Sequence, residues 1–189
     1  MKIYYKVAIL DTSVLIVLYH LGLLDYLNLF YNLIRIPREV EKEFLTKHPN
    51  QQERSKRFEF LTLFYEKNKS WFVRCNEYNT MDVELYKSQR GIDAGEAEVF
   101  AQNQALGNNH EILLDEKQAR SFAKSNKIHH HGVLFILANM DIKFKICDYY
   151  DSIEKVRKEM KTYFSDEIID KVYKDVCDNW RIDYKKVNV

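Results

Sequence analysis

The sequence predicts an α/β fold, an open and mostly parallel sheet with helices on both sides. Three observations carry that expectation. Short apolar runs alternate with helix-like stretches along the chain. The first run, residues 4–10, is apolar along most of its length, as a strand covered on both faces must be. Acidic residues stand where such runs give way to helices: Asp11 after Val-Ala-Ile-Leu, and Asp115 after Ile-Leu-Leu.

The first strand spans residues 4–10. A helix opens next, with Thr12 or Ser13 as its cap. It breaks near Gly22 and resumes toward Tyr31. Residues 33–36 read as a second short strand. Pro37 suits the first turn of a helix, where its missing donor costs nothing. That helix carries Val40, Glu43 and Phe44. Residues 48–57 are polar and charged, a loop or an exposed helix start. Phe58, Leu61, Phe64 and Tyr65 then recur at helical spacing and read as core. Residues 71–75 are strand-like and suit an edge. Residues 81–89 look helical and end at Gly91, and residues 94–106 form another helix stopped by Gly107. Residues 111–114 are the next strand, succeeded by a helix to Lys124, with Asn126 as its stop. Ile128 opens a further short strand, and residues 133–140 are apolar and helical. Beyond Asp151 come two amphipathic helices, the second capped by Ser165. The domain reading is a core over residues 1–147, a helical extension over 148–180 and a polar tail over 181–189.

Hydrophobic residues make up 46% and aromatics 14% of the 189 residues, enough for a large core without disulfides. The formal net charge is +1, so bulk charge draws no nucleic acid. A nucleic-acid partner would be held by a local basic patch and by metal-bridged phosphates. Cys75, Cys147 and Cys177 are scattered and make neither a metal-ligand spacing nor a disulfide framework. A cytoplasmic location is the expectation, with no signal pattern at the N-terminus. The longest apolar stretch, residues 14–24, is too short to span a bilayer.

Four acids stand out: Asp11, Glu43, Glu96 and Asp115. In an open parallel sheet, sites gather outside the carboxyl ends of the strands. Carboxylates brought together there repel, and bound cations or proton uptake relieve them. Each acid also has a structural explanation. Asp11 and Asp115 sit where an N-cap would be, Asp115 with Gln118 and Asp93 with Glu96 read as capping boxes, and Glu43 fits a wet helix face. The pair Thr12 and Ser13 reads first as a plain cap, and otherwise as a means of fixing Asp11 or binding a phosphate.

Five pieces, in this order, resemble the PIN-domain family of nucleases. They are Ala8-Ile-Leu-Asp-Thr-Ser-Val-Leu-Ile16, Ile36-Pro-Arg-Glu-Val-Glu-Lys-Glu-Phe44, Asp93-Ala-Gly-Glu-Ala-Glu98, Leu113-Leu-Asp-Glu-Lys-Gln-Ala-Arg120 and His131-Gly-Val-Leu-Phe-Ile-Leu-Ala138. The similarity covers about residues 4–146. The segment Tyr163-Phe-Ser-Asp-Glu-Ile-Ile169 resembles the C-terminal helices of one branch, the one with Gly-Glu-Ala-Glu.

The resemblance implies a three-layer α/β/α sandwich and an acidic pocket that binds Mg²⁺ or Mn²⁺ and hydrolyses RNA. Carried over, the four acids are Asp11, Glu43, Glu96 and Asp115. The third is Glu where most of the family has Asp, which lengthens its reach. Glu98 and Glu116 are near enough to substitute for their neighbours, and Glu39 lies one turn before Glu43. Asp11 and Asp115 are the expected direct ligands. Glu43 and Glu96 act through ordered water or by positioning the attacking hydroxide. Hard cations take oxygen ligands, orient water, lower its pKa and neutralise phosphate charge. The family is often the toxin half of a toxin–antitoxin pair, so a small inhibitory protein is an expected partner. Single-stranded or loop RNA is the favoured substrate. The alternative reading is a catalytically inactive PIN-like module that binds RNA or protein.

Other features weigh less. Arg120 reaches a substrate phosphate or balances Asp115 or Glu116. Lys2, Lys6, Arg35, Arg38 and Lys117 help hold RNA or are merely solvated. Adjacent residues of a strand face opposite ways, so His129, His130 and His131 do not readily share one metal. A haloacid-dehalogenase-type phosphatase would carry a second acid where Ser13 stands. A dinucleotide-binding domain would carry a glycine-rich loop where Asp11-Thr12-Ser13 stands. In the last helix Ile168, Val172 and Val176 form an apolar stripe that folds back on the domain or makes a dimer or antitoxin surface.

Overall fold

The computed structural model describes residues 5–160 and 164–182. Tyr4, Lys2, Tyr163 and Lys185-Lys186 of the tail lie outside them, as does the side chain of Lys6. The chain divides into two compact units, Met1–His131 and Gly132–Val189.

The first unit holds the sheet. Strands β1 (Tyr5–Leu10), β2 (Tyr31–Pro37), β3 (Phe72–Cys75), β4 (Glu111–Leu113) and β5 (His130–His131) run in the order β3-β2-β1-β4-β5. Every pairing is parallel, where the sequence suggested only a mostly parallel sheet. Ala8, Ile9 and Leu10 are each 0% exposed. Consecutive strand residues face opposite ways, so both faces of β1 are covered and the architecture is an α/β/α sandwich. The chain leaves β1 toward β2 and β3, then returns to the other side of β1 with β4. The gap between the carboxyl ends of β1 and β4 is therefore the point where the strand order reverses.

Helix α1 (Thr12–Leu21) buries Val14, Leu15, Val17 and Leu18. Gly22 ends it in the left-handed conformation (φ 69°), which a residue without Cβ adopts freely. The chain then makes a short 3-10 segment, Leu24–Leu29, and not a helix reaching Tyr31. Tyr31 pairs with Tyr5 and so belongs to β2. Pro37 likewise closes β2 opposite Cys75 and sits at the N-cap of α2 (Arg38–Thr46), one position before the expected first turn.

Helix α3 (Gln51–Asn68) starts from Asn50, whose side chain accepts from the N–H groups of Gln52 and Glu53. It buries Leu61 and Phe64. Phe58, expected in the core, is 62% exposed. Helices α4 (Thr80–Lys87), α5 (Ala94–Ala105) and α6 (Lys117–Ser125) complete the unit. Tyr86, Phe100 and Phe122 stack between them, with centroids 4.9–5.8 Å apart.

The second unit contains α7 (Val133–Asn139), a π-type turn at Met140–Phe144, α8 (Tyr149–Met160) and α9 (Asp166–Trp180). Ser165 caps α9 by accepting from the Ile168 N–H. The positions α9 buries are Ile169, Val176 and Cys177, while Ile168 and Val172 are half-buried. The apolar stripe is thus rotated from the expected one, toward Tyr149 and α7. No helix among the described residues is long and apolar enough to cross a membrane.

Candidate active site

Asp11 leaves β1 directly at the reversal point. Its backbone N–H donates to Leu113 O at the end of β4 (2.9 Å), tying the two strand ends together. Its side chain caps α1, accepting from the Ser13 N–H (3.2 Å) and from Ser13 Oγ (2.6 Å). The cap is therefore Asp11 itself and not the hydroxyl pair. Ser13 fixes Asp11, and Thr12 does something else. Asp11 is 4% exposed. Burial raises its pKa from 3.8 to about 6, against the Ser13 and Thr12 hydrogen bonds, and the Asp93 charge adds to the rise.

Glu43 is equally buried, on the middle of α2. Thr12 Oγ1 donates to its Oε2 (2.8 Å), and Lys47 Nζ lies 2.6 Å from its Oε1. Gly95 of α5 makes room for it: a Cβ there would come 2.9 Å from Glu43 Oε2. The carboxylate therefore lies against the first turn of α5, the end of a helix that favours negative charge.

Asp93 and Glu96 form the expected capping box. Glu96 N–H donates to Asp93 Oδ1, and Asp93 N–H donates to Glu96 Oε2, each at 2.9 Å. Glu96 is 3% exposed. Burial pushes its pKa up to about 7, the Asp93 N–H opposes this, and the charges of Asp93, Asp11 and Glu116 add to it. One side chain is thus both a cap and a member of the acidic group.

Asp115 comes after β4 at the same edge of the sheet and is half-buried. It is not the N-cap of α6. Leu114 N–H bonds to His131 O, which extends the strand by one residue and moves the cap to Glu116, whose side chain makes no capping bond. Glu116 is exposed, and Arg120 is half-buried one turn later, its N–H donating to Glu116 O. Glu98 faces elsewhere. Its Oε2 accepts from the Glu39 N–H (2.6 Å), so it caps α2, while the Glu39 carboxylate takes Lys42. Arg35 is engaged by Glu77 (2.8 Å).

Lys47 is a site residue that the sequence pattern did not single out. It lies 2.6 Å from Glu43 and 3.7 Å from Asp93. Burial pulls its pKa down, but the hydrogen bond to Glu43 and the charges of Glu43, Asp93 and Asp11 outweigh this and raise it. The i,i+4 spacing from Glu43 was the available signal. Arg57 of α3 holds this corner: its Nη1 donates to Phe44 O near the end of α2 (3.0 Å), and its guanidinium lies 5.1 Å from the Phe44 ring centroid.

Asp93 and Glu96 are joined by their capping box, Glu43 is held by Thr12 and Lys47, and Asp11 by Ser13. Among the described residues no three His, Cys, Asp or Glu side chains gather closely enough to hold a metal ion. Mutual repulsion has a structural answer here: Lys47 draws Glu43, and Asp93 N–H draws Glu96. The donor set is of the kind a hard divalent cation takes, since every group is a carboxylate oxygen. Two of the histidines have partners other than the four acids. His131 Nδ1 bonds Glu111 Oε1, and His130 Nδ1 contacts Ile128 O.

A family model described as a PIN domain matches residues 7–177. No curated protein matches the chain.

Proposed function

The chain belongs to the PIN-domain family, generally a family of nucleases, and on that premise we propose that it is a metal-dependent endoribonuclease. The observation that carries this reading is the pair of aspartates at the strand-order reversal. Asp11 succeeds β1, Asp115 succeeds β4, and the Asp11 N–H bonded to Leu113 O locks the two ends side by side. Asp11, Glu43, Glu96 and Asp115 are the residues that would hold Mg²⁺ or Mn²⁺. Such a cation, when bound, supplies positive charge to the scissile phosphate and lowers the pKa of water.

The chain's own residues do the rest. Ser13 orients Asp11 through Oδ2. Thr12 orients Glu43 from a buried position. Glu96, buried and fixed by the Asp93 N–H, would position the attacking water. The substrate class is RNA with unpaired bases. As the toxin of a toxin–antitoxin pair the protein would work in the cytoplasm as a dimer, with a small inhibitory protein as partner.

One observation favours the second reading, an inactive module that binds RNA or protein. Lys47 already neutralises Glu43 without any cation. Incubating purified protein with a structured RNA in Mg²⁺, in Mn²⁺ and in EDTA separates the two. Cleavage that needs the cation and disappears in Asp11→Asn supports the nuclease. RNA binding without cleavage under every condition overturns it.

A further inference from the structure

Resting on the metal-dependent reading, we infer that Lys47 is a positioning residue whose ammonium holds Glu43 in the metal-free protein and yields it to the divalent cation on loading. Both oxygens of the Glu43 carboxylate are engaged. Oε2 accepts from Thr12 (2.8 Å), and Oε1 takes Lys47 (2.6 Å). The two holders differ in what they can do. Thr12 is buried in the first turn of α1 and cannot leave without a cavity. The Lys47 side chain is 55% exposed and carries a compact charge on a flexible stem, so it can swing into water. Exchange therefore occurs at Oε1. The backbone at this corner stays put, because Arg57 is bonded to Phe44 O and stacked on the Phe44 ring.

The surrounding charges fit a stand-in cation. The groups facing the ammonium are acids from three elements: Glu43 on α2, Asp93 at the cap of α5, and Asp11 at the end of β1. With a divalent cation in place the acids no longer need the lysine, and two like charges would repel across this short span. Lys47 thus competes with the metal for one oxygen. It keeps a buried carboxylate satisfied while the metal is away, where an unpaired one would be costly.

The test is Mn²⁺ binding by the full chain at low ionic strength, read from the electron paramagnetic resonance signal of free Mn²⁺. It needs no cleavage assay. Lys47→Met should tighten binding about two- to fivefold, the scale of one partly exposed charge contact. Lys47→Arg keeps the charge and should stay near the wild type. In the Glu43→Gln background, Lys47→Met should give no such gain, because the contested oxygen has lost its charge. Unchanged affinity in Lys47→Met, with the wild type binding Mn²⁺, overturns this inference alone. The same gain in the Glu43→Gln background also overturns it, since the effect would then be general charge. No Mn²⁺ binding by any of these proteins sinks the metal-dependent reading and this inference with it.

Discussion

Thr12 and Glu43, thirty-one residues apart in the chain, meet through a 2.8 Å hydrogen bond from Oγ1 to Oε2. The bond joins the first turn of α1 to the middle of α2 and fixes the second acid relative to the first. Thr12→Val keeps the shape of the side chain and removes the donor. The fold should lose about 1.5–3 kcal/mol, the range for a buried hydrogen bond to a charged group. Cleavage should fall as well, and Thr12→Ser should restore much of both. Thermal melts with a cleavage assay check this. A Thr12→Val protein as active as the wild type would mean that the bond does not position Glu43.

Asp11 is an acid that the fold holds against its own charge. A rise from 3.8 to about 6 corresponds to about 3 kcal/mol of preference for the neutral form. At neutral pH the ionised carboxylate therefore costs the metal-free protein stability. Asp11→Asn removes that charge and leaves an oxygen to accept from Ser13. It should raise the melting temperature by several degrees in EDTA and abolish cleavage. A lower melting temperature with wild-type cleavage would make Asp11 a structural cap alone.

The same shifts set a pH dependence. Both Asp11 and Glu96 are acids with folded pKa values above their unfolded ones, at about 6 and about 7. The neutral form is favoured in the fold, so what these two groups contribute to stability in EDTA is greatest at low pH. That contribution should fall as pH rises from about 4 to about 7, where the protein must ionise groups that the unfolded chain ionises more easily. Cation binding needs the ionised forms, so the stabilisation by Mn²⁺ should grow through that window. Melting curves with and without Mn²⁺ from about pH 4 to about pH 8 give the two slopes. Parallel curves would mean that neither acid meets the cation.

Glu96 and Glu98 differ by two residues and face different tasks. Glu96 closes the capping box with Asp93 beside Asp11, while Glu98 caps α2 through the Glu39 N–H. Glu96→Gln should remove most of the cleavage. Glu98→Gln should keep cleavage and cost about 1 kcal/mol, as a weakened helix cap does. Likewise Asp115→Asn should harm activity and Glu116→Gln should not. Equal losses within either pair, measured at matched folded fractions, would reverse the assignment.

Gly95 gives a sharper probe of Glu43. A Cβ at this position would lie 2.9 Å from Glu43 Oε2, so Gly95→Ala must push the carboxylate aside. The backbone there is helical, and alanine favours the helix. Cleavage should drop, and stability should fall by no more than the strained Thr12 bond to the same oxygen contributes, about 1.5–3 kcal/mol. If activity survives with Gly95→Ala, the carboxylate does not need its place against α5.

The features legible in the sequence are local. β1 and Asp11, the Gly22 stop, the Asp93–Glu96 box and the Ser165 cap each depend on residues a few positions apart, so spacing alone reveals them. The hidden features depend on long-range partners. Glu98 finds the Glu39 N–H fifty-nine residues away, and His131 finds Glu111 twenty away. Asp115 resembles a cap because it succeeds an apolar run. The bond from Leu114 N–H to His131 O, invisible in the sequence, moves the helix start to the next residue. Lys47 is legible as an i,i+4 partner of Glu43, but such pairs are common on wet helix faces. Only the burial of Glu43 makes this one consequential.

The apolar stripe of α9 either docks within its own unit or forms an interface. Within the second unit the stripe is in use. Ile169 and Val176 are 3% and 1% exposed, and the fully buried Tyr149 donates its hydroxyl to Ile169 O (3.0 Å). Trp180 Nε1 reaches Asn139 Oδ1 (2.9 Å), and the Tyr173 hydroxyl reaches Asp141 Oδ2 (3.1 Å). Removing residues 166–189 would strip these partners from α7 and α8 and leave the Tyr149 hydroxyl without its acceptor. The truncated protein should melt lower or aggregate. Val176→Ala should cost about 1–3 kcal/mol through lost burial and the cavity it leaves. The half-buried Val172 separates the dimer surface from the internal dock. Val172→Glu that melts normally but halves the mass in light scattering supports an interface through this face. A truncated protein that keeps its fold, mass and solubility would remove both readings, because the stripe would then cover nothing.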